Sequence, residues 1–534
     1  MMKKAIKKLL AALLAVAMVC AMAIPAFADT ESIREHHSFK AFQIFKGNVN
    51  DASEISNVEW GSCIHDYHDF LAELKKDPTL STPFQDADSL QKVLAVISTW
   101  HESDDNSIAF ARFVCHYLYP TADADPQPFI PTSGDVVQIP NDGAGYYLIV
   151  DTTYFNPGDD YHAYNSFLLN VTKAPWNLKI TPKVEKPSVK KEVFDNQDGT
   201  SNKAGFGSSA DHAINEEFQF KLTATLPASY DNDRAYDYYD KYTVIFNDTL
   251  SEGITYDGID KVVIESNGNT YDITGDSSKY TIDITDLESH NYFTVGISNV
   301  KTCVPDLNKG ATITVTYIAH LNDKAAVNTA SGSTENKNSV RLQYSNNPRP
   351  DGKYWGYTPT PESEVYVYTY QLNNTKYRDE VNENNKLEGA GFRLYSGKDC
   401  TKEQEIKLKK NTTDGTYSPY FGADAGDEMF SDEHGQFNVK GLDAGTYYLK
   451  ETTTPEGFTP CSVIPPVTIT ANHNGNHVEL DSSKLSTTII NKKAGGITLP
   501  STGGIGTTIF YVVGGGLMVA AIVLLVTKKR MENK

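Results

Sequence analysis

Apolar residues recur along this chain at two different periods, and the places where the period changes divide it. Phe39-Lys40-Ala41-Phe42-Gln43-Ile44-Phe45 predicts a strand. Three stretches follow, Tyr67 to Lys76, Ser89 to Trp100 and Ile108 to Tyr119. Their apolar positions recur at three and four, as in Phe70, Leu71, Leu74 and Leu90, Val93, Leu94, Ile97. That spacing predicts helices with one buried face each. Strands resume at Tyr146–Val150 and Phe167–Leu169, so residues 29–175 read as an α+β module with helices set into a β framework. Pro175, Pro182 and Pro187 bracket a linker, 176–187. Beyond it, short alternating runs such as Phe218–Leu222 and Ile313–Tyr317, parted by Gly, Asn and Asp turns, predict a β-sandwich over 188–350. A second proline-rich stretch, from Asn346 to Pro361, leads to a third β-rich module within 351–494. The expected fold is mainly β, with three tandem domains.

The two ends carry signals of a different kind. Lys3, Lys4, Lys7 and Lys8 precede an apolar stretch, Leu9 to Ile24, which ends in Ala26-Phe27-Ala28. This reads as a secretory signal peptide, 1–28, cleaved before Asp29. At the other end, 495–534, Leu499-Pro500-Ser501-Thr502-Gly503 precedes the uncharged run Thr507–Val526 and the basic Lys528-Lys529-Arg530. A run of about 20 apolar residues spans a bilayer as a helix, and the basic end stays on the cytoplasmic side. The plain reading is a C-terminal membrane anchor. The pentapeptide outside the membrane resembles the LPxTG signal of sortase substrates. That resemblance implies export, cleavage between Thr502 and Gly503, transfer of Thr502 to an amine, and attachment to the peptidoglycan cell wall.

A net charge of −20 argues against a nucleic-acid partner. Once the signal peptide and its Cys20 are removed, Cys63, Cys115, Cys303, Cys400 and Cys461 remain, an odd number with no CxxC spacing. The pairings that stay within modules are Cys63 with Cys115 and Cys400 with Cys461. His36, His37, His65 and His68 lack the carboxylate or cysteine that would complete a metal set, and read as surface histidines. No nucleophile–base constellation, metal spacing or phosphate loop appears. The expectation is no enzyme, no cofactor and no metal site.

Strand alternation raises a sharper point. Lys191 shares a face with Val189 and Val193, Asp248 with Val244, Phe246 and Leu250, and Asn338 with Val340, Leu342 and Tyr344. A lysine, an acid and an amide would all point into an apolar core, where unpaired charge is costly. The plain reading is a buried ion pair with a hydrogen-bonded amide. The sharper one is a self-formed isopeptide bond, since burial brings amine and acid to their neutral forms together. Lys376, Glu451 and Asn491 repeat the theme in the third module: Lys376 has the parity of Leu372 and Asn374, Glu451 that of Tyr447 and Leu449, and Asn491 that of Ile489.

Tyr447–Phe458, with the sequence YYLKETTTPEGF, resembles the E-box of Gram-positive pilins and of Cna B-type domains, whose glutamate catalyses a Lys–Asn link. The stretches Tyr344-Ser345-Asn346-Asn347-Pro348 and Asp248-Thr249-Leu250 resemble the middle domain of shaft pilins. Phe42–Phe45 and Trp60-Gly61 resemble their N-terminal domain. Trp176-Asn177-Leu178-Lys179-Ile180-Thr181-Pro182-Lys183 resembles the pilin motif, with Thr181 where the family usually has Tyr.

The resemblance implies Ig-like, Cna B-type sandwiches, and Asp248 and Glu451 acting only on the intramolecular Lys191–Asn338 and Lys376–Asn491 bonds. It also implies Lys183 as the sortase nucleophile, with Lys179 and Lys186 as neighbouring rivals. The function it implies is the major subunit of a covalent surface pilus supporting adhesion and colonisation. Its partners would be further copies of the chain, a sortase, the cell wall, ancillary pilins and host surface ligands. The alternative is an ancillary or tip pilin, or a wall-anchored monomeric adhesin. Aligning Tyr146-Tyr147-Leu148 with Tyr447-Tyr448-Leu449 puts Val150 where Glu451 stands, so no E-box-type bond is expected in the first module.

Overall fold

In the computed structural model the described residues are 38–49, 55–101, 104–120, 124, 126, 130–131, 136–139, 142–152, 166–171, 176–179, 186–196, 204–227, 235–239, 241–304, 307, 310–329, 334–346, 358–461, 463–475, 477–494, 517, 521–523 and 528. The signal peptide, Lys183, the LPSTG pentapeptide and most of the expected membrane span lie outside them. No helix among the described residues is long and apolar enough to cross a membrane.

The first module is the mixed one. Phe39–Val49 lies between Ile55–Trp60 and Gly145–Asp151, and Ser166–Val171 completes the edge beyond. Three helices, Tyr67–Leu74, Leu90–Ile97 and Asp105–Leu118, occupy the stretches their periodicity predicts. Asp66 caps the first by accepting from the backbone amides of His68 and Asp69, which satisfies two donors that have no partner within the helix. Phe70, Leu74, Val93, Leu94, Phe110 and Val114 bury the helical faces against Phe42, Ile44 and Leu148 of the sheet. His65 and His68 are exposed. His36 and His37 lie outside the described residues.

The second module is a sandwich. One sheet runs in the order Asn269–Asp272, Ile254–Ser266, Thr312–Leu321, Glu217–Thr225, Ser188–Asp195, Gly205–Gly207. The other runs Ser209–Asp211, Ser363–Tyr368, Asn336–Tyr344, Val244–Leu250, Tyr292–Ile297, Thr281–Asp283. Glu217–Thr225 is alternately buried and partly exposed along its length, as a strand on one core demands. The boundary at 350 is corrected here. Ser363–Tyr368 pairs antiparallel with Asn336–Val340 and parallel with Ser209–Asp211, and its Val365 and Val367 enter the second core. Thr358–Pro359 also pairs with Gln343–Tyr344 of the same sheet, so the proline-rich stretch does not separate the second module from the third.

The third module begins at Tyr370. Its first sheet runs Leu408–Lys410, Tyr417–Pro419, Val439–Leu442, Tyr370–Arg378, Ser486–Asn491. Its second runs Glu405–Ile406, Gly391–Tyr395, Gly445–Thr453, Val467–Ile469. The modules meet closely: the Ile214 amide donates to Gly441 O at 2.9 Å, and Asn215 Nδ2 to Pro419 O at 3.0 Å. Gly441 has φ +83°, and a Cβ there would lie 2.4 Å from Ile214 Cδ1, so only glycine serves.

The cysteine pairings are also corrected: none of the five cysteines forms a disulfide. Cys63 and Cys115 are both buried in the first core, where the Cys63 thiol donates to Gln43 O at 3.0 Å and burial pushes it up to about 12. Cys400 sits in a tight turn at φ 46°, and its thiol donates to Lys398 O at 3.8 Å.

Phe110 is fully buried and meets Phe70, Phe84 and Trp100. Phe110→Ala should lower the stability of the first module by about 3–5 kcal/mol, read as a loss of its urea-unfolding midpoint.

Candidate functional site

Two centres stand out, each built around a lysine with no route to water. In the second module Lys191 comes from Ser188–Asp195 of one sheet. Asp248 and Asn338 come from neighbouring strands of the opposing sheet, where Asn338 is opposite Leu250. Lys191 is 2 % exposed and Asp248 and Asn338 are 0 % exposed. The Lys191 amine donates to Asp248 Oδ2, and also to the Tyr317 hydroxyl at 3.1 Å. The same hydroxyl donates to Asp248 Oδ1 at 3.1 Å and receives Asn338 Nδ2 at 2.6 Å. Tyr317 thus links the acid, the amine and the amide. The carbonyl oxygen Oδ1 of Asn338 is buried with no hydrogen-bond partner.

Desolvation lowers the Lys191 amine to about 8, against the opposing pull of Asp248. Burial also raises the Asp248 carboxyl, against the opposing pull of Lys191 and Tyr317. Phe220 and the Tyr317 ring flank the amine, their centroids at 5.2 and 5.3 Å. Both shifts move the pair toward amine and acid, the neutral forms. Parity reasoning found Lys191, Asp248 and Asn338 but passed over Tyr317, which has the same signal: it shares a face with Ile313 and Val315.

The third module builds the same kind of centre on other strands. Tyr370–Arg378 and Ser486–Asn491 run parallel, with Lys376 opposite Ile489 and Asn491 opposite Arg378. The Lys376 amine donates to Asn491 Oδ1 at 2.5 Å, and Asn491 Nδ2 donates to Glu451 Oε1 at 2.6 Å. Glu451 Oε1 is 3.5 Å from the amine, and Glu451 Oε2 accepts the Cys461 amide at 2.6 Å. Burial lowers Lys376, opposed by the Glu451 charge. Asn374, the polar residue on the same face, is satisfied separately: it donates to Phe437 O at 3.0 Å and accepts from Thr487 Oγ1 at 2.6 Å.

The first module holds a related strand. The Tyr147 hydroxyl donates to Gly143 O at 2.5 Å, and the Tyr447 hydroxyl donates to Asp443 O at 2.8 Å, four residues back in both cases. This equates Tyr147 with Tyr447 and so Asp151 with Glu451; each acid lies opposite a phenylalanine, Phe39 and Phe392. The alignment that put Val150 in that place is therefore off by one, and the argument it gave against a bond in the first module falls. Of the expected linkage residues, Lys183, Leu499, Pro500, Thr502 and Gly503 lie outside the described residues. Lys179 lies in the strand Trp176–Lys179, which pairs with Val136–Ile139.

Comparison with known proteins assigns two segments. Residues 371–484 match the SpaA family, a prealbumin-like fold domain, and residues 491–533 match the LPXTG cell wall anchor motif. The chain is an exported protein anchored at the cell wall, with a prealbumin-like domain directly before its anchor. A 210-residue stretch, 38 % of the chain, is 26 % identical to the serine-aspartate repeat-containing protein C of Staphylococcus aureus, and the match spans 21 % of that relative's length. Among solved structures, the T6 backbone pilin of Streptococcus pyogenes matches with TM-score 0.47 and 18 % identity, over 86 % of this chain and 96 % of that one. The full-length major pilin SpaD of Corynebacterium diphtheriae matches with TM-score 0.40 and 16 % identity, over 89 % and 95 %.

The Lys191 centre predicts a pH dependence wherever the lysine remains an amine, as it must in an Asn338→Ala chain. Between about 8 and the ordinary value of 10.5 the unfolded chain binds more protons than the folded one. Stability should then rise with pH across that window, by up to about 1.4 kcal/mol per unit, with the full penalty present below it. Urea unfolding of Asn338→Ala against Lys191→Met/Asn338→Ala isolates the effect. Equal slopes in the two chains would contradict it.

Proposed function

We propose that the chain is the major subunit of a covalent surface pilus, hardened by two internal Lys–Asn isopeptide bonds. The observation that carries this reading is the arrangement at Lys376: amine, amide and acid stand within hydrogen-bonding reach in a buried pocket, with the acid touching both the nucleophile and the group that must leave. The neutral Lys376 amine attacks Asn491 Cγ, and the Nζ–Cγ bond forms as Cγ–Nδ2 breaks. Glu451 takes the proton from Nζ and hands one to Nδ2, which departs as ammonia. At Lys191 the acid meets the amine directly and the amide through Tyr317. As Nζ bonds Asn338 Cγ and Cγ–Nδ2 breaks, Asp248 takes the proton from Nζ. The Tyr317 hydroxyl, turning to donate to Nδ2 while Asp248 replaces its proton, lets Nδ2 leave as ammonia. The fold supplies the proximity, and no other enzyme is required. Each bond would close a loop of more than 100 residues, worth on the order of 5 kcal/mol on the chain-entropy account.

The anchor supports the intermolecular half of the reading. A sortase would cleave between Thr502 and Gly503 and join Thr502 to Lys183 of the next copy. Head-to-tail contacts of this kind propagate as an open filament. Lys183 lies in sequence between the paired strand Trp176–Lys179 and Ser188–Asp195, the strand that opens the second module. The final acceptor is the peptidoglycan, and ancillary pilins and host surface ligands complete the list of partners. A wall-anchored monomeric adhesin built from the same modules is the second reading; the pilin-like motif ending at Lys183 favours the polymer.

Three measurements test this. Peptide mapping of the polymer should yield a branched Thr502–Lys183 peptide; a polymer linked through Lys179 or Lys186 alone, or no polymer, would overturn the linkage. Intact mass should fall short of the sequence mass by one ammonia per bond, and Asp248→Ala and Glu451→Ala should each restore one. A mass equal to the plain sequence would refute both bonds. In single-molecule pulling between Lys183 and Thr502, residues 192–337 and 377–490 should stay folded, and Glu451→Ala should release a step sized to 377–490 alone. A step of that size from the unmutated chain would end the load-path account.

A further inference from the structure

The junction between the second and third modules holds an unusual density of buried acids. Asp195, Asp211 and Asp443 are 5 %, 1 % and 6 % exposed, and Glu216 stands beside them with two histidines, His212 and His473. Part of this charge is already balanced. His473 Nε2 meets Asp211 Oδ1 at 2.5 Å and Asp195 Oδ2 at 3.8 Å, while its Nδ1 meets Ser209 Oγ at 2.7 Å. Ser209 directs its own hydrogen to Gly475 O at 2.8 Å, so His473 donates to Ser209.

The other group is His212, Glu216 and Asp443, whose acids accept backbone amides, Glu216 Oε2 from Ala213 at 3.0 Å and Asp443 Oδ1 from Ala444 at 2.7 Å. Among the described residues no lysine or arginine pairs with Glu216 or Asp443. His212 is 1 % exposed and stacks flat on Phe218 at 4.2 Å. Its Nε2 lies 2.7 Å from Phe194 O, and a carbonyl only accepts, so Nε2 carries the hydrogen. In the neutral ring Nδ1 is then a bare lone pair. This atom is buried with no hydrogen-bond partner, and it faces Glu216 Oε2 at 3.7 Å. Two acceptors face each other across a gap too long for a hydrogen bond. Something positive belongs between them.

We propose that His212 Nδ1, Glu216 and Asp443 bind a divalent ion of the zinc class, which clasps the second module to the third. Ligand atoms about 2.0–2.2 Å from a tetrahedral zinc lie about 3.4 Å from one another, close to the separation of His212 Nδ1 and Glu216 Oε2. One ligand atom from each of the three residues falls within 4.8 Å of the others. Two carboxylates and a neutral imidazole match the ion's charge and its borderline softness. The surroundings are those of a metal site. The far nitrogen of a ligating histidine usually donates to a backbone carbonyl, as His212 does to Phe194. Asn196 Nδ2 holds both acids, reaching Glu216 Oε1 at 3.1 Å and Asp443 Oδ2 at 3.2 Å. His212 and Glu216 belong to the second module and Asp443 to the third, so the ion would bridge them.

The test is zinc chloride titrated into the full chain, followed by elemental analysis after desalting and thermal unfolding in zinc and in EDTA. The unmutated chain should retain zinc and melt higher in zinc than in EDTA. Asp443→Asn and His212→Gln should each lose one equivalent and show no zinc-dependent shift, while melting as the unmutated chain does in EDTA. Should either variant fail to fold, Glu216→Gln at the rim of the group provides the same comparison. Cobalt(II) in place of zinc should give the visible absorption of a tetrahedral site in the unmutated chain only. Zinc retention unchanged by all three substitutions would overturn the assignment, as would identical melting in zinc and EDTA, which would leave a protonated His212 as the balancing charge.

Discussion

A lysine amine withdrawn from water is tolerable in a protein interior only with a counter-charge, without its proton, or as a neutral amide. Both sandwiches are arranged around that constraint. Lys191 and Lys376 each have side chains with no exposure; Lys191 meets a carboxylate directly and a carboxamide through Tyr317, and Lys376 meets a carboxamide directly with a carboxylate at 3.5 Å. An ion pair is the weakest of the three solutions, because withdrawing two charges from water costs several kcal/mol per ion before their attraction is counted. Burial lowers the lysines and raises Asp248, which moves the first pair toward the second solution. The amide is the third, and the only one that leaves no ionisable nitrogen in the core. The same burial that makes an ion pair expensive makes the amine nucleophilic.

The strands show how the constraint is met by different geometry in each module. In the second, lysine and asparagine face each other from opposite sheets, so a bond between them would tie the two layers. In the third they lie on adjacent parallel strands, diagonal to one another, so a bond there would tie the first strand to the last. Glu451 reaches both partners itself. Asp248 reaches the amide only through Tyr317, which is why the second centre has an extra member.

Much of this was legible in the sequence, because it depends on parity along single strands. Lys191, Asp248 and Asn338 each sit two residues from an apolar neighbour, and the helices of the first module follow from spacings such as Phe70, Leu71 and Leu74. Tyr317 was overlooked because a core-facing tyrosine is common and its parity carries no warning of charge. The end of the second module was misplaced because Ser363–Tyr368 alternates like any strand; which sheet it joins is decided by pairing with residues up to about 150 positions away. The acidic junction was invisible for the same reason: Asp211 and His473 belong to different modules, and no local pattern connects them. The pairing of Cys63 with Cys115 fails because the first core accommodates both as thiols, and Cys400 and Cys461 are likewise free in the third module.

The junction also occupies a particular place in the mechanics of a pilus. If the proposed polymer and both proposed isopeptide bonds form, tension entering at Lys183 and leaving at Thr502 would cross the Lys191–Asn338 bond and then the Lys376–Asn491 bond. Residues 192–337 and 377–490 would then hang as unstressed loops. Between the bonds, tension has to pass through residues 339–375, which carry Ser363–Tyr368 and have only hydrogen bonds and packing to resist it. His212 and Glu216 lie in the first unstressed loop and Asp443 in the second. A clasp between them would therefore act in parallel with the loaded segment, sharing its tension without lying on the covalent path. Hydrogen bonds from Ile214 to Gly441 and from Ala444 to Asp211 cross the same gap, one in each direction. The region of the chain that a covalent bond cannot shield is thus the region where the fold gathers its buried acids and histidines, and an ion there would strengthen the segment that otherwise yields first.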